Sequence, residues 1–132
     1  MKPKQQKAFS LMELLIVILI VSILAAAIMP ILRGKVERAK WAEANAAAGM
    51  IRSAFKMYYV ETGNVLTGSL ANFSILDTLG IGPGDLTGNF FVASDYTIDS
   101  VNADGIATIT VRGSLPNAPT GSMTLQANGD WK

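Results

Sequence analysis

The chain offers few groups that could run covalent chemistry. It has no cysteine and no histidine, which removes disulfides, thiolate nucleophiles, Cys-ligated zinc and the side chain that ordinarily exchanges protons near neutral pH. Carboxylates, Lys and Ser-Lys chemistry remain, a narrow set for an enzyme. One carboxylate stands apart. Glu13 borders the run Leu14 to Leu32, LLIVILIVSILAAAIMPIL, where Ser22 is the one polar side chain. A carboxylate at that edge costs about a few kcal/mol in lipid unless it is protonated or paired. The remaining candidates have plainer explanations. Asn102 and Asp104 suggest a cation site, but Asn102-Ala103-Asp104-Gly105 reads better as a hairpin turn. Trp41, Phe55, Tyr58 and Tyr59 fall at helical spacing, which marks core and interface packing in preference to a stacking platform or an electron path. Ser22 is expected to bond back to its own helix, and Gly34 and Gly49 mark hinges or places where helices approach closely. No metal and no cofactor are expected.

Composition sets the frame. A chain of 132 residues has room for about one domain. Hydrophobic residues at 50% against charged residues at 16% exclude a disordered polyelectrolyte. Eleven basic against ten acidic side chains leave a net charge of +1, so no overall basic field exists to hold nucleic acid.

The apolar residues gather at one end. As a helix, Leu14 to Leu32 covers about 28 Å, near the thickness of a bilayer's hydrocarbon core. A short leader, Met1 to Ala8, carries Lys2, Lys4 and Lys7 without an acid, and Arg33, Lys35, Arg38 and Lys40 follow the run. Positive charge at both ends leaves the orientation open. A secretory signal peptide cut at Ala25-Ala26-Ala27 and a simple membrane anchor both fit this pattern. Neither supplies Glu13 with a partner.

Helical periodicity continues past the run. Ala44, Ala47, Ala48, Ile51, Ala54, Phe55 and Tyr58 recur at three and four, an apolar stripe that needs cover. Lys40, Glu43, Asn45, Arg52 and Lys56 are assigned to the other side, and Gly63 is the natural left-handed cap. A helix from Phe9 to Val60 would measure roughly 78 Å, with Pro30 and Gly34 as a kink or soft stretch. Residues 62–89 read as a Gly-rich connection with one short helix at Leu70 to Leu79. Phe90 to Ala93, Tyr96 to Val101, Ile106 to Arg112 and Ser122 to Ala127 read as strands of a small antiparallel sheet, and Asn128-Gly129 turns the last residues back along the final strand. Charge segregates as well. Six basic side chains face two acidic ones from Arg33 to Lys56, whereas from Val60 onward two basic face seven acidic. Such opposition favours contact between copies of one elongated subunit.

The segment Lys7-Ala8-Phe9-Ser10-Leu11-Met12-Glu13-Leu14-Leu15-Ile16-Val17 resembles the processing site of type IV pilins and type II secretion pseudopilins. The resemblance covers about residues 7–32 and implies that a prepilin peptidase cuts between Ala8 and Phe9 and methylates the Phe9 amine. Ala8 stands where the family usually has Gly. Glu13 matches the family's glutamate, and Pro30 sits where a helix proline is common. Pairing Glu13 with a neighbour's Phe9 amine would remove two isolated charges from an apolar zone and fix the register of assembly.

The resemblance implies an α+β fold: a pilin-like N-terminal helix whose C-terminal half packs on a small antiparallel sheet. The expected divisions are a leader at 1–8, a transmembrane and filament-core helix at 9–32, and a soluble domain at 33–132, with an amphipathic helix at 33–61, a connecting loop at 62–89 and the sheet at 90–132. The expected role is a non-enzymatic subunit of a type IV pilus-like filament. It would be anchored in the inner membrane through residues 14–32, handed to the inner-membrane assembly machinery, and then displayed outside the cell as a homo-oligomer. The Cys pair of many major pilins and the calcium-loop and Asp-Pro-Trp-Gly signatures of the major pseudopilin are missing from the sequence, so a pilus subunit is favoured over a secretion pseudopilin. The alternative from another class is an exported soluble binding module cut after Ala27.

Overall fold

A computed structural model describes residues 1–3 and 8–132; Lys4 and Lys7 of the basic leader lie outside the described residues. Helix α1 spans Leu11–Thr62, strand β1 Gly68–Ser69, helix α2 Phe73–Thr78, strand β2 Tyr96–Val101, strand β3 Ala107–Val111 and strand β4 Met123–Leu125. The four strands form one antiparallel sheet in the order β1-β2-β3-β4. The chain divides into two compact units, Met1–Val36 and Glu37–Lys132. A long N-terminal helix followed by a small antiparallel sheet is the expected α+β class.

α1 ends where its glycine requires. Gly63 adopts φ 68 and donates its N–H to the Tyr59 carbonyl at 2.8 Å, the left-handed cap that a Cβ would strain. Pro30, expected as a soft point, lies inside an unbroken helix. It withdraws the one donor that would reach the Ala26 carbonyl, and the neighbouring turns carry on.

In the Glu37–Lys132 unit the stripe is covered. Ala44, Ala48, Ile51 and Phe55 are fully buried, and Ala47, Ala54 and Tyr58 pack at the margin of the same core. The sheet supplies the other wall through alternation along β3 and the first half of β2, up to a register shift between Ile98 and Ser100. Tyr96 and Ile98 of β2 and Ala107, Ile109 and Val111 of β3 face the helix, while Asp99, Thr108 and Thr110 face outward. Gly68, Ile98, Ile109 and Leu125 stand opposite one another across the four strands.

Three charged side chains of α1 assigned to the solvent side are instead spent on this unit. Arg52 donates to the carbonyls of Ala107 at 3.1 Å, Leu125 at 2.9 Å and Gln126 at 2.5 Å, tying the helix to the ends of β3 and β4. Lys56 donates to the Asp104 carbonyl in the hairpin. Glu43 accepts N–H groups from Asn89 at 3.1 Å, Phe90 at 3.0 Å and Phe91 at 3.1 Å. The Glu43 carboxylate fills the place a Cβ on residue 88 would need, so a side chain there would push the carboxylate out of its present position.

That clamp explains one correction. Residues 90–93, expected as the first strand of a sheet at 90–132, form no ladder, because amides at 89–91 already bond to Glu43. Ala93–Asp95 is a 3-10 turn, and the strand starts at Tyr96. The expected loop at 62–89 likewise holds β1 and α2. The short helix is trimmed to Phe73–Thr78 because the Asn72 carboxamide oxygen accepts the Ser74 N–H at 3.0 Å and sets the first turn. The Asn102 hairpin forms as read: Asn102 Oδ1 accepts the N–H groups of Asp104 and Ile106, and Gly105 has φ 73. The chain end also returns along β4, with the Lys132 N–H donating to the Thr124 carbonyl at 3.1 Å and Trp131 bridging Leu125. Trp131 meets Trp41 edge-on at 6.2 Å between ring centroids, and Trp41 meets Phe91 at 5.4 Å.

Two outcomes follow from this core. Ile51→Asp places a charge with no partner beneath β2 and β3, costing about 3 kcal/mol or more. For a domain near 100 residues, the melting temperature followed by circular dichroism falls by roughly 12 °C or more. Tyr96 is buried beside Glu43 and Asp95, and burial first, then those two charges, hold its hydroxyl protonated well above the usual tyrosine value of 10.0. The unfolded chain releases that proton at the usual value, so this contribution is intact below pH 10 and is lost as pH rises further. Urea unfolding at intervals from pH 8 to 11 therefore shows a stability decline that Tyr96→Phe makes shallower; equal slopes for both proteins would refute the assignment.

Candidate functional site

The Met1–Val36 unit holds every residue that the sequence singles out for processing and assembly. Ala8, Phe9 and Ser10 precede the helix in non-helical, exposed backbone. Phe9 is 81% exposed, so the Ala8–Phe9 peptide bond sits in open chain ahead of Leu11.

Glu13 has a local partner that the sequence argument missed. Its carboxylate Oε2 accepts the Ser10 N–H at 2.9 Å, and Ser10 Oγ accepts the Glu13 N–H at 3.2 Å. The two side chains form a capping box, satisfying two donors that a helix start leaves orphaned. Ser10-Leu11-Met12-Glu13 carries the signal in plain view, a serine followed three residues later by glutamate before an apolar run. Negative charge in the first turn also suits the positive end of the helix dipole. Glu13 therefore starts the helix that carries the apolar run.

Beyond Glu13 the helix has no cover. Every residue from Leu11 to Val36 is exposed, with Ile20 at 51% and Ile31 at 62%. The helix is long and apolar enough to cross a membrane, and its most apolar window is wholly unburied. A core helix of a globular protein would be mostly covered, so that explanation fails. Ser22, the polar exception, donates its hydroxyl to the Ile18 carbonyl at 2.6 Å, which satisfies it within the helix. Pro30 lies near the end of the same face-less apolar cylinder.

The other candidates are engaged within the fold. Asn102 Oδ1 is engaged by the hairpin amides, and no group of three or more His, Cys, Asp or Glu that could hold a metal occurs among the described residues. Trp41 and Phe55 serve the core.

No curated protein and no solved structure matches the chain. Residues 3–29 match the family described as the prokaryotic N-terminal methylation motif. The N-terminal part of the chain thus carries the prepilin-type motif of type IV pilins and pseudopilins, the mark of a prepilin-peptidase substrate with a membrane-anchoring N-terminal helix.

Proposed function

We propose that the chain is a structural, non-enzymatic subunit of a type IV pilus-like filament, cut between Ala8 and Phe9, methylated on the Phe9 amine and assembled through residues 9–32. The observation that carries this is the uncovered apolar helix behind the methylation motif, with Glu13 as its single charge. Nearly twenty large apolar side chains cannot remain in water at about 1.5 to 3 kcal/mol each. Lipid covers them in the inner membrane first, and neighbouring copies cover them in the extracellular fibre afterward. The Lys-rich leader stays on the cytoplasmic side until cleavage. Charge pairing then sets the register, because a subunit at the wrong height leaves both the Phe9 amine and Glu13 unpaired in an apolar core.

Export with a cut after Ala27 is disfavoured by the local backbone. Ala25 to Ala27 lie inside α1, whereas Ala8 and Phe9 lie outside any helix. A pilus subunit is favoured over a secretion pseudopilin because the chain lacks the latter's calcium-loop and Asp-Pro-Trp-Gly signatures, and Asn102 Oδ1 is taken up by a plain hairpin.

Intact mass of the protein sheared from the cell surface tests the assignment. The expected chain begins at Phe9 and carries one extra methyl group; a chain beginning at Ile28 rejects it. Replacing the charge tests the register argument separately. Gln preserves a capping box, so Glu13→Gln keeps the helix start, membrane insertion and processing, while filament yield by electron microscopy drops when no wild-type subunit is present. Wild-type filament numbers from an all-Glu13→Gln population would show that charge pairing does not set the register.

A further inference from the structure

Within the Glu37–Lys132 unit, α1 and the 85–88 loop enclose a cavity of about 290 Å³. Glu43 of α1 and Asp85 of the loop both stand at it, Tyr96 of β2 lines it with them, and Ala47, Met50 and Leu86 give it an apolar side. The two carboxylates bond only to backbone. Glu43 accepts the N–H groups of residues 89–91, and Asp85 Oδ2 accepts the Gly82 N–H at 2.8 Å. Neither has a cation: the ion pairs among the described residues join Lys40 to Glu37 and Lys132 to Asp130. Two negative charges therefore share one cavity with no positive charge between them.

Tyr96 supplies an independent sign. It is 1% exposed, yet its hydroxyl has no hydrogen-bond partner among the described residues, where a buried phenol ordinarily finds one. No fully enclosed polar side-chain atom of the described residues lacks a partner. The hydroxyl is therefore not enclosed, and the accessible remnant of Tyr96 is the polar tip that meets the cavity. Glu43 acts on that tip through its charge without bonding to it.

We infer that this cavity binds a primary ammonium carried on an unbranched apolar stem, the chemistry shared by a lysine side chain and a small alkyl diamine. An ammonium brings three donors and one compact positive charge. An ionised carboxylate accepts about four hydrogen bonds, so Glu43 keeps one position beyond its three amides, Asp85 keeps Oδ1, and the Tyr96 oxygen is open. Three acceptors meet three donors. Ala47, Met50 and Leu86 lie where the methylenes of the stem need cover. A divalent metal fits less well: calcium takes about six to eight oxygens, and no group of three or more His, Cys, Asp or Glu that could hold a metal occurs among the described residues. A guanidinium prefers two free oxygens on one carboxylate, and each carboxylate here has an oxygen committed to backbone.

The test titrates the isotope-labelled full-length chain, in a nonionic detergent at neutral pH, with butylamine and follows amide shifts by NMR. Saturable shifts are expected at Gly82, Leu86 and Gly88, with butanol at least about ten-fold weaker. Asp85→Asn keeps an oxygen for the Gly82 N–H and removes one charge, and Tyr96→Phe removes only the hydroxyl. Each is expected to weaken butylamine about five-fold or more, with the amide shifts of Ile109 and Val111 in the sheet unmoved. Should either substitution disturb the sheet, the wild-type titration decides alone. Absence of saturable shifts, equal binding of butanol, or displacement of butylamine by equimolar calcium overturns the inference. Carbodiimide, which joins a carboxylate to an amine in contact with it, separates the two sources in protein taken from cells. An amide from Glu43 or Asp85 to a lysine of another molecule identifies a side-chain occupant, and the added mass of a small amine on either residue identifies a free one.

Discussion

The apolar surface of Leu11 to Leu32 must be covered by something other than its own chain. Removing that many aliphatic side chains from water is worth tens of kcal/mol, against the roughly 5 to 15 kcal/mol that holds an entire domain folded. The segment therefore dictates where the chain can exist, and the Glu37–Lys132 unit has to hold together without its help. It does so with its own core: Ile51 and Phe55 of α1, Ile98 of β2, Ile109 and Val111 of β3, and Leu125 of β4 are all buried within that unit. One helix thus answers to two unrelated demands, set over its first half by the need for apolar cover that its own chain does not give and over its second by a private sheet.

The sheet also explains how α1 distributes its polar groups. With its apolar stripe under the sheet, the helix sends charged side chains from its flanks to loops and strand ends of the same unit. Glu43 gathers three backbone amides of the 89–91 loop, and Arg52 gathers three carbonyls at the strand ends. Charged hydrogen bonds to backbone of this kind satisfy groups that loops leave exposed to partial burial. They replace what a disulfide would do in a cysteine-free chain, because each holds a non-regular segment to the helix. Burial lowers the Arg52 pKa below the usual arginine value, yet a guanidinium remains protonated across any physiological range, so this tie does not switch with pH.

Much of this was legible in the sequence because it depends on local pattern. The three-four stripe from Ala44 to Tyr58, the Gly63 cap, the Asn102 hairpin and the Asn128-Gly129 return all rest on short-range geometry, and each forms. The strand expected at 90–93 fails for a long-range reason. Phe90 to Ala93 has the composition of a strand, but its amides are taken by a carboxylate some 46 to 48 residues earlier in the chain, and no window of sequence displays that. β1 was missed because two residues carry no period. Arg52 was placed on the solvent side because periodicity assigns faces, whereas a long side chain at a flank can reach round to the sheet. The Ser10–Glu13 box is legible in the serine-to-glutamate spacing of three residues ahead of the apolar run.

That local box bears on how a carboxylate can serve both the free and the assembled chain. The capping interaction uses Glu13 Oε2 and the Ser10 N–H, while an ionised carboxylate can accept about four hydrogen bonds over its two oxygens. A neighbour's amine can therefore approach the same group without dismantling the helix start. The capping box and the helix dipole lower the cost of holding Glu13 at the start of an apolar helix; in the proposed filament they would keep the carboxylate in one orientation, so that pairing would lose little side-chain entropy. A bare glutamate in the same run would lack both advantages. The Ser-x-x-Glu spacing thus lets one carboxylate start the helix and still offer acceptor positions to the partner that the proposed filament would bring.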